Sequence, residues 1–235
     1  MLFRSRYLDS VRALCKLVID NYIGPGGGVT DGLWSGFDGE WWCSTATFGS
    51  LAFLMHEATG ERLYLDVAQG ALNWTLGHDF REAEHLGFEE GAPGVVFYTF
   101  EFYATALDYL KPGTPRYEPA MAQIAEAVAW MAENQKGRGA ASKWDYLGKA
   151  TYMSGIPHIM YVFARKLPQH QDLHSAADRE LQFVSRLLFE HGDPEVSRVT
   201  TWEFMTWAMM SYAERLSPGA LRRNSTPRAA LGHGG

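Results

Sequence analysis

Apolar positions recur along most of this chain at three- and four-residue intervals, the signature of helices with a buried stripe. Over 6–22, Leu8, Val11, Leu14, Cys15 and Val18 share one stripe. Ser44 or Thr45 is placed to cap a second helix running to Ala58, and Thr59-Gly60 stops it. The same reading predicts helices over 61–76, 94–110, 117–135, 148–167, 172–190 and 199–216. No stretch reads convincingly as a strand. The expected fold class is all-α.

The order of these helices carries more than their number. Those starting at 6, 61, 117 and 172 are amphipathic, whereas those starting near 45, 94, 149 and 199 are nearly all apolar, so the two kinds alternate about every 55 residues. Helices apolar all round belong inside, and helices with one polar face belong outside. A regular repeat of helix hairpins buries each unit against its neighbours. The expectation is one domain over 1–216, an α/α toroid or partial toroid of about four hairpins, followed by a disordered tail over 217–235. Inner-to-outer connections are short (59–60, 111–115, 168–171), whereas three of the four outer-to-inner connections exceed ten residues. Long loops in a compact domain are often functional. That places the expected working end where the inner helices begin.

Composition narrows the class. The 235 residues are 46% hydrophobic and 20% charged, which suits a globular domain. Net charge is −6, and the tail holds three Arg and no acid, so the body is more acidic still. That excludes a nucleic-acid partner, which needs a basic patch. Two cysteines give no disulfide framework and suit a reducing cytoplasm. The first ten residues lack a signal-peptide core, and no apolar run is long enough to span a membrane.

Candidate chemistry concentrates at Gly32–Thr47, where Asp38 and Glu40 stand among Trp34, Trp41 and Trp42. A carboxylate in partly apolar surroundings can act as general acid, and indoles can stack on sugar faces or shield a carbocation. The bland alternative is a solvated loop with its Trp residues packed on the rim. Glu101 sits inside an apolar helix, and His158 lies 57 residues on, the offset that also relates Tyr117 to His174. The two are expected at equivalent levels of adjacent inner helices, as an acid/base pair or as a buried structural pair. Pro157 is expected to distort the helix that carries His158. Asp145 is a further acid, with Tyr98, Trp144, Tyr146, Tyr152 and Trp202 as aromatic wall. His78 and His85 stand among acids without a metal-binding spacing, Cys43 reads as a small packed residue, and Gly24–Gly28 lacks the Lys-Ser/Thr of a phosphate loop. No metal and no cofactor is expected.

HisGluAlaThrGlyGluArgLeuTyrLeuAspValAla at 56–68 resembles the inner-to-outer junction of six-hairpin glycosidases and sugar epimerases. The run AlaValAlaTrpMetAlaGluAsnGlnLysGlyArgGly at 127–139, followed by Trp144, is similar to the Gln-Trp repeats of terpenoid-cyclase toroids, as is GlyGlyGlyValThrAspGlyLeuTrp at 26–34. These resemblances imply a toroid that takes a small-molecule substrate. The first expectation is a carbohydrate-active enzyme, a glycoside hydrolase or epimerase, working by metal-free carboxylate acid/base chemistry. The second is a terpenoid cyclase or dehydratase-isomerase, although the DDxxD and DxDD acid motifs are absent. The third is a non-catalytic helical-repeat binding module. A full six-hairpin ring needs two more hairpins, so a homodimer is one way to complete the wall.

Overall fold

The computed structural model describes residues 2–30, 39–78, 92–136, 155–189 and 199–219. Among them are eight α-helices: α1 (Leu2–Asn21), α2 (Trp42–Thr59), α3 (Arg62–Leu76), α4 (Ala92–Ala106), α5 (Tyr117–Lys136), α6 (Ile156–Lys166), α7 (Leu173–Phe189) and α8 (Val199–Leu216). Extended pairing among the described residues is limited to two isolated bridges, Ile23 with Val29 and Thr30 with Glu40. The all-α class therefore holds. No described helix is long and apolar enough to cross a membrane.

The chain groups into two compact units, Met1–Glu133 and Asn134–Gly235, where the sequence reads as one domain over 1–216. In the first unit, α2 packs against both α3 and α4. Gly49 allows the close approach: a Cβ there would stand 2.6 Å from the Phe102 ring and 3.0 Å from the Ala71 methyl. α1 lays Cys15, with Leu8, Val11 and Val18, onto Phe48 and Met55 of α2 and Tyr64 of α3. Phe53 stacks on Tyr109 at 4.2 Å, and the Tyr109 hydroxyl donates to the Phe53 carbonyl. α5 is tied in by polar contacts. Tyr103 donates to Gln123, Gln123 donates to the Leu76 carbonyl at 2.9 Å, and Arg116 donates to Asn73 at 2.6 Å.

The α2–α3 junction follows the sequence closely. Gly60 takes the left-handed conformation, φ 73°, that ends a helix without strain, and its N–H closes on the His56 carbonyl. The start of α2 differs from expectation. The helix begins at Trp42, three residues before Thr45, and no side chain among the described residues caps it. Thr45 lies inside the first turn, and its hydroxyl accepts the Val29 N–H at 2.8 Å. It anchors the preceding loop instead of the helix end.

In the second unit α6 packs against α7 and α8. Eight of its eleven residues are buried, from Ile156 to Ala164, with His158 among them largely buried. Pro157 does not distort it. The proline stands in the first turn, where its missing N–H costs nothing. A single 3-10 turn, Pro168–His170, leads into α7. After α8, Ser217 donates its N–H to the Ala213 carbonyl, and Gly219, at φ 80°, donates to Glu214. The remainder of the tail lies outside the described residues.

Candidate functional site

Glu40 and the tryptophans beside it form a closed clasp in the first unit. The loop from Tyr22 to Thr30 folds on itself, with Gly24 donating to the Gly28 carbonyl at 2.8 Å and Thr30 to the Tyr22 carbonyl at 2.8 Å. The Glu40 carboxylate enters this loop. Its Oε1 accepts the N–H of Gly26 at 2.7 Å and of Gly28 at 3.3 Å, and its Oε2 accepts the Trp74 indole N–H at 2.6 Å. The glycines are what make room: a Cβ on Gly24 or Gly26 would collide with the carboxylate, and one on Gly28 would stand 2.7 Å from the Trp74 indole nitrogen. Trp42 packs edge-on against Trp41 and Trp74, at 5.5 and 5.3 Å between ring centres. His78 stacks on Trp74 at 4.2 Å, and its Nδ1 lies 2.7 Å from the Trp74 carbonyl. A carbonyl only accepts, so this nitrogen carries the proton.

The sequence suggested exposed indoles beside free acids. Trp42 and Trp74 are instead 6% and 4% exposed, and Glu40 is held by three donors. The Trp42 indole N–H is buried with no hydrogen-bond partner among the described residues. This part of Gly32–Thr47 knits loop to helix. Asp38 and Trp34 lie outside the described residues, as do Trp144, Asp145, Tyr146 and Tyr152, and of Trp202 only the backbone is described. Tyr98 and Glu101 are half-buried on α4, with Tyr98 edge-on to Phe97. Glu101 belongs to the first unit and His158 to the second.

In the second unit His158 meets a different partner. Its Nδ1 lies 2.8 Å from the Ser211 hydroxyl, and Ser211 opens onto a cavity of about 390 Å³. α6 contributes Tyr161 and Arg165, one helical turn apart. The turn before α7 contributes Gln171, and the first turn of α7 contributes His174. α8 contributes Ser211, Glu214 and Arg215, spaced to share a face, and Pro218 closes the edge.

Most of these groups are held. Arg215 grips both oxygens of Asp178, and the Tyr161 hydroxyl donates to Asp178 at 2.7 Å. Burial, then the Asp178 hydrogen bond and charge, push the Tyr161 phenol well above its ordinary range, so it stays a donor. Gln171 donates to the Ala164 carbonyl, and Glu214 Oε1 accepts the Gly219 N–H at 2.6 Å. Burial lowers His158 to about 4, Arg165 acts in the same direction, and a hydrogen bond to the Trp207 carbonyl opposes both. The imidazole is therefore neutral at pH 7. Burial and then Arg215 also lower His174, against Asp178, and its Nδ1 has no hydrogen-bond partner among the described residues.

The volume suits a small ligand, and seven of the eight lining residues carry hydrogen-bonding groups. The cavity lies where α6 and α8 end and α7 begins. The sequence placed the working end where the inner helices begin, and the loops there, 137–154 and 190–198, fall outside the described residues. No family model, no curated protein and no solved structure matches this chain.

Apart from His158, which stands behind the cavity, this constellation was missed from the sequence. Its signal was present: Ser211, Glu214 and Arg215 stand at i, i+3 and i+4 near the end of a helix that is apolar at most other positions. Ser211 and Glu214 are half-buried, and polar groups withdrawn from water need partners or a ligand.

Proposed function

We propose that this chain is a small-molecule enzyme that takes a hydroxylated, sugar-like substrate and works by metal-free acid/base chemistry. The substrate occupies the α6–α8 cavity, and the hairpins α2–α3 and α6–α7 are those of an α/α toroid. Glu214 is the carboxylate that exchanges a proton with a substrate hydroxyl or glycosidic oxygen. Ser211, steered by His158, and Gln171 hold neighbouring hydroxyls. The observation that carries this reading is the lining itself, in which hydrogen-bonding groups interleave with the Tyr161 and His174 rings. A sugar face wants that pattern, and a carbocation guide wants an apolar wall. Of the apolar side chains on the inner helices that favour the terpenoid alternative, Phe97, Phe100, Phe102, Tyr103 and Met205 are core, Tyr98 and Trp207 are half-buried, and Met209 and Met210 are exposed; none of them lines this cavity.

The test is a titration series of monosaccharides and aryl glycosides beside isoprenoid alcohols, followed by turnover of whatever binds. Glu214→Gln is expected to lower kcat about 100-fold or more, the range of a lost general acid or base, with KM little changed. Binding of isoprenoid alcohols alone, or full turnover by Glu214→Gln, defeats the reading.

A further inference from the structure

We infer that the substrate of this cavity carries a carboxylate, bound by Arg165. The inference rests on the cavity being the substrate site and adds the chemical class of what enters it. Arg12 binds Glu61, Arg62 binds Asp66 and Arg116 binds Asn73, whereas Arg186, exposed on α7, lies away from the cavity. Within the cavity Arg215 is taken by Asp178. Arg165 makes no hydrogen bond or ion pair among the described residues, yet it lines the cavity.

Among the described residues no carboxylate stands within ion-pairing distance of its guanidinium. Asp178 is matched by Arg215 and Tyr161, and Glu214, the acid that lines the cavity, accepts the Gly219 N–H instead of pairing with Arg165. A guanidinium presents a planar fork of donors that fits a carboxylate with two parallel hydrogen bonds. The structural alternative is that Arg165, in the last turn of α6, only complements the carbonyl end of that helix. Such an arginine needs no ligand and selects none. With hydroxyl-binding groups at Ser211 and Gln171 beside it, the class of substrate is a sugar acid or a small hydroxy acid.

The experiment compares glucuronate with glucose, galacturonate with galactose, and both with glucose 6-phosphate, by calorimetric titration at low ionic strength. Uronates are expected to bind at least 10-fold tighter than their neutral parents. Arg165→Gln is expected to erase that preference while neutral-sugar affinity changes less than 2-fold, and Arg165→Lys to restore part of it. Arg165 is exposed, so the variant should keep its fold, checked by an unchanged melting temperature. Arg186→Gln, an exposed arginine on α7 that does not line the cavity, is expected to keep the preference in full. Equal binding of uronate and parent, or a preference that survives Arg165→Gln, overturns the inference and leaves the proposed function standing. Tighter binding of the phosphate ester than of either uronate overturns the carboxylate assignment. Failure of every sugar to bind defeats the proposed function itself, and the inference with it.

Discussion

Two titratable side chains show how position decides a residue's work. Glu40 has three N–H donors converging on its carboxylate. Glu40→Gln puts an amide NH2 where an oxygen accepted, so one donor must face another. The expected cost is about 1–3 kcal/mol of stability, read from urea unfolding. No loss would mean that the loop is held by its backbone bonds alone. His158 is lowered from 6.5 to about 4 by burial. Between those two pH values the unfolded chain binds a proton at this position that the folded chain refuses. Stability is therefore complete above about pH 6.5, falls as pH drops through the window, and levels off below about 4. The loss is of order 3 kcal/mol. His158→Asn keeps a polar group near Ser211 and removes the titration, so its unfolding free energy should lack that slope. An unchanged slope would assign the acid sensitivity elsewhere, with His174, lowered in the same sense, the next residue to replace.

At the scale of elements, the tightest constraint is on α2, which packs against α3 and α4. Gly49→Ala improves helix propensity, worth about 1 kcal/mol. Against that, the new methyl meets the Phe102 ring at 2.6 Å and the Ala71 methyl at 3.0 Å. Overpacking of this kind costs about 1–3 kcal/mol, so net destabilisation is expected in thermal or urea unfolding. A more stable variant would show that Phe102 swings aside freely. The helices were legible in the sequence because their apolar spacing reports burial directly, as α3, α7 and α8 show by starting within a residue of expectation. Ends were less legible. α2 begins early because Thr45 serves Val29, and that partner lies 16 residues away. The described α6 opens at Ile156 because Pro157 fits a first turn better than a helix interior. Sites were least legible. Composition marks Trp42 as wall or core alike, and only the Glu40–Trp74 bond and the crossing of Trp42 on Trp74 decide for core. Arg165, Ser211 and Glu214 converge through the packing of α6 on α8, a pairing that no local pattern states.

At the scale of the whole chain, each compact unit has its own means of cohesion. The first is held by apolar layers around α2, with Cys15, Phe48, Met55 and Tyr64 in one cluster. The second adds to its apolar core a polar knot, in which Asp178 on α7 receives Arg215 from α8 and Tyr161 from α6. Local stability follows such cooperative clusters, and hydrogen exchange reads them segment by segment. Asp178→Asn removes the charge that Arg215 grips and keeps an acceptor for Tyr161. It should raise amide exchange in peptides from α6, α7 and α8 and leave those from α2, α3 and α4 at their original protection. Gly49→Ala should do the reverse. Exchange that rises evenly over all eight helices in either variant would mean the chain opens as one cooperative body. The Asp178 variant also bears on the cavity, because releasing Arg215 adds a second free guanidinium beside Arg165. Affinity for an anionic ligand should then rise, even as α6–α8 lose protection. Stability and binding moving in opposite directions is a signature that simple loosening of the fold does not produce.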